Sequence, residues 1–206
     1  MRRFIVVGSR ARTTPDFTPK DLCGGAGRWD VLIRCVNCAF FLSHGLRKNV
    51  ELCLVLLGET DPPKTLRFWG RGLRSLNPDE YSTSTLVLKA LALEVPEGEA
   101  LSTPGISISR RGLKEVIEGC LEDSLVSYLH EEGMDIRDWG SRVEKEHGMR
   151  SLTFVLGDDS GLNPAEEGLL EGMGCQQISI GPTELHAEHC ITLVHNELDR
   201  RSLMTG

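Results

Sequence analysis

Short apolar runs of strand character alternate with helical patterns along most of this 206-residue chain. The strand-like runs lie at 3–8, 50–58, 64–70, 124–129, 152–157 and 176–181, and the helical patterns lie at 29–43, 82–93, 112–120, 164–172 and 184–199. Several of the runs are apolar on both faces, which is typical of strands in a covered sheet. The alternation therefore predicts an α/β fold with a mostly parallel sheet.

The composition is that of an ordinary globular protein, with 40% hydrophobic and 26% charged residues, and it argues against disorder. Residues 94–105 are rich in Pro, Gly, Glu and Ser, which is the composition of a linker. No second hydrophobic core follows that such a linker would separate from the first. We therefore expect residues 1–206 to form a single domain.

The amino terminus, MRRFIVVGSR, carries only four apolar residues between its basic residues and Gly8, too few for the core of a signal peptide. No apolar run approaches the roughly 20 residues that span a bilayer. The seven cysteines are odd in number and scattered from Cys23 to Cys190, which favours reduced thiols over a disulfide framework. We therefore expect a cytoplasmic protein that does not enter a membrane.

The charges are unevenly distributed within a net charge of −7. Residues 1–112 carry 16 Lys and Arg against 11 Asp and Glu, whereas residues 113–206 carry 7 against 19. A basic amino-terminal half favours a surface that binds a polyanion, because the local field steers a ligand more than the total charge does. The alternative is that acids simply cap and solvate the carboxy-terminal helices. Charge alone leaves both interpretations open.

Two short stretches have the residue types of metal or redox sites. CVNC places Cys35 and Cys38 three residues apart, but the surrounding stretch is apolar and the chain has no second CxxC, which favours two core residues. GPTELHAEHC places His186, His189 and Cys190 within five positions. Residues 189 and 190 point about 100° apart around a helix, and no other cluster supplies two further ligands, so we predict no metal site.

The last helical pattern has a core-facing stripe of five residues, Ala187, Cys190, Ile191, Val194 and Leu198. A nucleophilic Cys–His pair is geometrically possible at Cys190, but thiols on such a stripe are usually inert. His186 and His189 project from an adjacent sector, where we expect a structural hydrogen-bonding role.

Two glycine-containing stretches, VLGDDSG (155–161) and ISIGP (178–182), follow predicted strands. In a parallel sheet these strand ends meet at the edge where open α/β sheets bind ligands. Neither stretch matches a dinucleotide or P-loop motif, and by spacing alone such glycines are more often plain turns. The pattern therefore marks the edge of the sheet without naming a ligand.

Six blocks together carry a resemblance that runs nearly end to end. They are GRWDVLIRCV, FFLSHGLRKNVELCLVLLGETDPP, NPDE, STPGISISRRGL, VLGDDSG and SIGPTELHAEHCITLVHNELD. The chain closely resembles the archaeal tRNA pseudouridine-54 N1-methyltransferase (TrmY) family of the SPOUT superfamily. The run of Leu-His-Ala, any residue, His-Cys-Ile and then Val-His-Asn is long and specific.

The resemblance implies a SPOUT domain whose last helix threads through a loop, forming a deep trefoil knot near the carboxy terminus. It implies that the knotted loops bind S-adenosylmethionine, and that the protein is a homodimer with this pocket close to the subunit interface. Carried over residue by residue, it implies a cofactor pocket formed by Leu129, Gly157, Ile180, Gly181, Pro182, Thr183, Glu184, Leu185 and Cys190. The segment 131–148 is less recognisable.

The implied reaction is N1-methylation of pseudouridine 54 in the T-loop of tRNA. Pseudouridine has an N1–H because its base is joined to ribose through carbon, and once this proton leaves, N1 attacks the sulfonium methyl in line. A carboxylate near N1 either accepts the proton or orients the base. A related SPOUT enzyme that N1-methylates pseudouridine in ribosomal RNA has Arg-x-Asp at the corresponding helix start, so Arg28 and Asp30 are our catalytic candidates. The alternative is a first-turn acid beside a surface arginine.

The basic amino-terminal half then has tRNA as its expected partner. The candidate phosphate contacts are Arg2, Arg3, Arg10, Arg12, Arg67, Arg71, Arg74, Arg110 and Arg111. Trp29 or Trp69 is the candidate for stacking on an exposed base. Two alternatives stay open: the same chemistry on another RNA, such as ribosomal RNA, and a non-catalytic RNA-binding protein with the same fold.

Overall fold

The computed structural model describes residues 1–95, 97–147 and 151–204. The strands are β1 Arg2–Gly8, β2 Phe41–Leu42, β3 Gly45–Leu46, β4 Val50–Leu56, β5 Lys64–Trp69, β6 Glu99–Thr103, β7 Ile106–Ser109, β8 Ser124–Asp135, β9 Ser151–Gly157 and β10 Gln176–Ser179. The helices are α1 Trp29–Phe40, α2 Glu80–Leu91, α3 Leu113–Leu121, α4 Ile136–His147, α5 Pro164–Gly172 and α6 Ala187–Met204.

Eight strands form one sheet in the order β10-β8-β9-β1-β4-β5-β7-β6. The strands from β10 to β4 pair in parallel, and β5, β7 and β6 extend the sheet in antiparallel pairs. Strands β2 and β3 form a separate antiparallel hairpin after α1. The predicted α/β fold with a mainly parallel central sheet is confirmed.

Helices cover both faces of the sheet. On β1, Phe4 and Val6 pack into one core with α1, α2, α4 and α6, whereas Ile5 and Val7 pack into a second core with α3 and α5. All seven β1 residues are buried, which explains why the run is apolar without alternation. Strand β1 therefore contributes to both cores. Fully burying each such aliphatic or aromatic side chain stabilises the fold by about 1.5–3 kcal/mol.

The helix boundaries follow from local hydrogen bonds. Helix α2 begins at Glu80, two residues before the predicted start, because Asp79 caps it by accepting a bond from the Ser82 amide. Helix α5 begins at Pro164 as predicted, and Asn163 caps it. Helix α6 begins only at Ala187, because the preceding residues form a loop that lines a cavity.

The prediction of a linker at 94–105 is wrong for the middle of that segment. Residues 99–103 form β6, the edge strand that pairs with β7, while Pro96 lies outside the described residues. An edge strand buries little surface, so its sequence lacks the apolar signal of a central strand. The weakly recognised segment 131–148 contains the end of β8 and all of α4, and its last residue, Gly148, lies outside the described part of the chain.

Ion pairs and hydrogen bonds connect α6 to the rest of the fold near the carboxyl end of the helix. The Asp199 carboxylate accepts bonds from Arg2 and Arg47, each at 2.6 Å. Arg2 also donates to His195 Nδ1 at 3.2 Å, so the other ring nitrogen, Nε2, carries the proton that it donates to the Ala39 carbonyl at 3.1 Å. No helix in the described ranges is long and apolar enough to cross a membrane.

Candidate active site

Residues 129–131, within β8 but beyond its pairing with β9, and the loops that follow β9 and β10 surround a cavity of about 600 Å³ at the carboxyl edge of the parallel strands. This volume lies within the range of roughly 300–1,000 Å³ typical of small-molecule sites. Eight predicted cofactor-pocket residues line it, namely Leu129, Gly157, Ile180, Gly181, Thr183, Glu184, Leu185 and Cys190. The ninth, Pro182, belongs to the same loop but does not line the cavity.

Glycine is required where β9 enters its loop. A Cβ atom on Gly157 would lie 2.1 Å from both the carbonyl carbon and the oxygen of Gly161. The loop is also held by Asp158, whose carboxylate accepts bonds from the amides of Ser9 at 2.8 Å and Ser160 at 2.9 Å. The backbone of this cavity wall is therefore fixed before any ligand binds.

The cavity wall is acidic. Its carboxylates are Glu131, Asp158, Asp159, Glu167 and Glu184. No lysine or arginine is present among the lining residues that the structure describes. A concave surface with one sign of charge concentrates ligands of the opposite sign, so this cavity favours a ligand that carries positive charge.

The candidate residues Arg28 and Asp30 do not line the cavity, but Arg28 contacts Asp159, which does. Arg28 precedes α1 in the left-handed conformation, with φ of 68°. Its Nε and Nη2 donate to Asp30 at 3.0 and 3.2 Å, and its Nη1 donates to Asp159 Oδ2 at 2.5 Å. Arg10 donates to the same Asp159 oxygen at 2.6 Å. Two guanidinium groups thus stand beside the cavity wall.

Asp30 is buried, with 4% of its surface exposed, and both of its oxygens are occupied. Besides Arg28, Arg34 donates to its Oδ2 at 3.0 Å. Burial acts to raise the pKa of Asp30, but the hydrogen bonds and charges of Arg28 and Arg34 outweigh it, so the pKa lies below its ordinary value. Asp30 is therefore ionised and engaged as an acceptor for two arginines.

The histidines and the cysteine of GPTELHAEHC line the cavity without forming a metal site. The rings of His186 and His189 meet edge to face, with centroids 5.8 Å apart. Burial raises the pKa of the Cys190 thiol to about 11, which keeps it protonated and unreactive near neutral pH. No group of three potential ligands is arranged to hold a metal ion within the described residues.

The CVNC cysteines lie on α1, where Cys35 is buried and Cys38 is half-buried. Both side chains pack with the core that contains α1 and α6. The prediction of two core residues is therefore confirmed.

The basic residues are divided between the two edges of the sheet. Arg10 and Arg12 follow β1 and Arg110 follows β7, which brings all three to the edge that holds the cavity, with exposed guanidinium groups. Arg2 and Arg3 begin β1 at the opposite edge. They are 8% and 7% exposed and paired with acids, so the prediction that they contact phosphates is wrong for these two residues.

The remaining predicted phosphate contacts are less uniform. Arg111 is exposed and follows Arg110 at the cavity edge. Arg71 and Arg74 are exposed but follow β5 at the opposite edge. Arg67 lies within β5 and donates to the buried Glu51 at 2.8 Å. Of the nine predicted phosphate contacts, only four therefore lie at the cavity edge: Arg10, Arg12, Arg110 and Arg111.

Of the two tryptophans proposed to stack on a base, Trp29 is fully buried. It stacks on Phe17, with ring centroids 5.8 Å apart, and donates to the Arg12 carbonyl at 3.0 Å. The prediction that it stacks on RNA is therefore wrong: it is a core residue that supports the loop carrying Arg12. Trp69 is 41% exposed but lies at the edge opposite the cavity.

The model of a family described as "Putative SAM-dependent RNA methyltransferase" matches residues 1–203. The chain belongs to this family. Among its relatives, the tRNA (pseudouridine(54)-N(1))-methyltransferase of Methanocella arvoryzae is 50% identical over 202 residues, covering 98% of this chain and all of the relative. The protein of the same name from Haloferax volcanii is 45% identical, covering 97% and 96%.

A solved structure has a similar fold at much lower sequence identity. Archaeoglobus fulgidus Nep1 bound to S-adenosylhomocysteine matches with a TM-score of 0.67 at 12% identity, covering 96% of this chain and 97% of Nep1. The likeness shows a shared fold, since the identity is too low to compare individual residues.

Proposed function

We propose that this protein is a cytoplasmic, S-adenosylmethionine-dependent methyltransferase that methylates N1 of pseudouridine 54 in the T-loop of tRNA. The 50% identity to the Methanocella arvoryzae relative over 202 residues is the observation that carries the proposed substrate. The acid-lined cavity supports the proposed cofactor. Mass spectrometry of tRNA treated with the protein and labelled cofactor tests the proposal.

The described residues suit S-adenosylmethionine in size and charge. When bound, the cofactor supplies a methyl group on a positively charged sulfur. Carboxylates such as Glu131 and Glu184 face the cavity and favour that charge, while Leu129, Ile180 and Leu185 offer apolar contacts for an adenine or a methylene chain. We propose that the loop 180–185, together with Gly157 and Cys190, holds the cofactor mainly by backbone and apolar contacts.

For the methyl acceptor, we propose that Arg28 contacts the target nucleotide and that Asp30 orients Arg28. The contacts favour orientation over proton acceptance, because both Asp30 oxygens already accept bonds from arginines and its pKa is lowered. A base works best with a pKa near the operating pH. With Arg28 placed by Asp30 and Asp159, much of the rate would come from alignment of N1 with the methyl group.

The tRNA backbone would meet the protein at the cavity edge, where Arg10, Arg12 and Arg110 are exposed. Asp61 accepts two bonds from Arg110, each at 2.8 Å, and the two side chains are 41% and 49% exposed, so the pair remains available to solvent. Planar guanidinium groups bind phosphate in the same bidentate manner. We propose that these arginines exchange part of their carboxylate contacts for tRNA phosphates.

We propose that the chain is a single SPOUT domain with a trefoil knot. The route of the last segment supports this: the chain leaves β10 at the edge of the sheet, passes β8 residues 129–131 and the β9 loop at the cavity, and then α6 packs on α1. A threaded last helix would hold these parts of the cavity wall together.

We also propose a homodimer in which the exposed face of α6 meets the partner. Leu185, which lines the cavity, and Leu193 on α6 are 42% and 39% exposed, and together they offer apolar surface that a partner could cover. Sedimentation of the wild-type protein and of a Leu193→Glu variant tests this proposal. A wild-type dimer that becomes monomeric in the variant supports it, and a wild-type monomer contradicts it.

A non-catalytic RNA-binding protein is separated from the proposed enzyme by calorimetric titration with S-adenosylmethionine. We expect saturable binding with one site per chain. Absence of binding by the folded protein would favour the non-catalytic alternative.

A further inference from the structure

A continuous network of ion pairs runs along the first turns of α1 and connects the two sides of the cavity. It runs from Asp159 in the β9 loop through Arg28, Asp30 and Arg34 to Glu188 in the first turn of α6. Because Glu188 lies between Ala187 and His189, which both line the cavity, the network reaches the opposite wall.

Arg34 is the bridge of this network. It lies one helical turn after Asp30 and donates through Nη1 to Asp30 at 3.0 Å and through Nε to Glu188 Oε1 at 2.7 Å. Only a guanidinium group can bond two carboxylates in this way with a fixed angle between the donors. The position of Asp30 is therefore tied to the start of α6.

Glu188 depends on that bridge. Its side chain is 9% exposed, and its second oxygen, Oε2, is buried with no hydrogen-bond partner among the described residues. A buried carboxylate that loses its one cationic partner is strongly unfavourable. Removing Arg34 would therefore displace the first turn of α6 as well as Asp30.

Arg28 has little freedom to compensate for such a displacement. Its backbone is in the left-handed region, and Nε, Nη1 and Nη2 each donate to Asp30 or Asp159. A shift of Asp30 relative to Asp159 must break at least one of these bonds. The direction of the Arg28 guanidinium is thus set jointly by the β9 loop and by α6.

From this geometry we propose that Arg34 and Glu188 are positioning residues for methyl transfer. They fix Asp30, and through it Arg28, relative to the loop 180–186 that holds the methyl donor. This inference rests on the proposed function, in which Arg28 contacts the acceptor. Since misplacement by about 1 Å far from the reacting atoms can cost a hundredfold in rate, the effect is expected in kcat.

The test compares the single variant Arg34→Met with the double variant Arg34→Met/Glu188→Met. The single variant leaves a buried unpaired carboxylate, whereas the double variant replaces the pair by two apolar side chains, which often preserves stability. We expect kcat to fall by about tenfold to a hundredfold in both. The midpoint of urea unfolding should fall in the single variant and return toward wild type in the double variant.

The matched control is Arg47→Met, which removes an arginine that pairs with α6 at its other end, through Asp199. It should lower the urea midpoint without lowering kcat, and the dissociation constant for S-adenosylmethionine should stay near the wild-type value in all variants. A double variant with wild-type kcat would overturn the inference. If the double variant does not fold, Arg34→Lys serves as the test, because lysine keeps the positive charge but cannot bond two carboxylates with the fixed geometry of a guanidinium group. A wild-type kcat in Arg34→Lys would also overturn the inference. A wild-type protein without methyl transfer would instead refute the proposed function.

Discussion

Arg28 Nη1 donates to Asp159 Oδ2 at 2.5 Å, and this contact joins the helix start that carries the acceptor candidates to the wall of the cavity. Arg28 comes from the loop after β1 and Asp159 from the loop after β9, two neighbouring parallel strands. Because neighbouring parallel strands end at the same edge, residues 131 positions apart in the chain are brought together. In the proposed reaction, the pair would place the acceptor and donor sites side by side.

Replacing Asp30 with Asn should lower kcat by about tenfold or more while the dissociation constant for S-adenosylmethionine changes little. The amide can no longer hold Arg28 and Arg34 as a charged acceptor, so Arg28 loses its direction. Steady-state kinetics and calorimetry measure the two quantities. Asp123→Asn is the control, because Asp123 accepts two bonds from Arg3 at the opposite edge of the sheet. An unchanged kcat in Asp30→Asn would show that Asp30 has only a structural role.

Gly157→Ala should weaken cofactor binding. The added Cβ would lie 2.1 Å from the Gly161 backbone, so the β9 loop must move away from its place in the cavity wall. We expect the dissociation constant for S-adenosylmethionine to rise by about tenfold, equivalent to about 1.4 kcal/mol. Gly168→Ala is the control, since nothing lies within 4 Å of its Cβ position on α5. Equal affinities for the two variants would contradict the proposed role of this loop.

The buried His195 predicts a pH dependence of stability. Burial lowers the pKa of His195 to about 3, with Arg47 and Arg2 acting in the same direction, whereas the unfolded value is near 6.5. Between these values the unfolded chain binds a proton that the folded chain does not. The free energy of unfolding should therefore fall as the pH drops below 6.5, by up to about 1.4 kcal/mol per pH unit.

Urea unfolding of wild type and His195→Gln between pH 5 and 7 measures this contribution. Asp30 and Asp199 have lowered pKa values, so their stabilising contributions are lost as the pH falls toward and below their ordinary value of 3.8. They therefore contribute little to the slope in this range. The variant should show a flatter dependence, and an identical slope would mean that His195 does not titrate as described.

Binding of tRNA should depend on the basic residues at the cavity edge. The double variant Arg12→Gln/Arg110→Gln should bind tRNA more weakly and make the plot of log affinity against log salt concentration less steep, by about one unit per lost phosphate contact. Filter binding at several salt concentrations measures both effects. Arg71→Gln/Arg74→Gln provides the comparison at the opposite edge. A larger effect from that pair would place the RNA on the other side of the molecule.

The buried strands and the amphipathic helices were predictable because central parallel strands must be apolar on both faces. The run 3–8 became β1 within one residue, and the stripe on α6 is buried at Ala187, Ile191, Val194 and Leu198. Strand β6 was missed because an edge strand with an exposed, polar sequence has the composition of a linker. Local pattern therefore predicted the core better than the periphery.

The candidate site was only partly accessible from the sequence. The resemblance supplied the residues that line the cavity, but neither spacing nor motif links Asp159 or Glu188 with α1, since those contacts depend on the fold. One signal was available: Arg34 lies four residues after Asp30, a spacing that pairs opposite charges on a helix. The burial of Trp29 likewise depends on Phe17 and could not be read from residue type.

The most direct test of the proposed function is mass spectrometry of tRNA incubated with the protein and labelled S-adenosylmethionine. Two substrates are compared, identical except for pseudouridine or uridine at position 54. Because only pseudouridine offers an N1–H, we predict one labelled methyl group on the base at position 54 of the first tRNA and none on the second. Equal labelling of the uridine form, or label at another position, would contradict it.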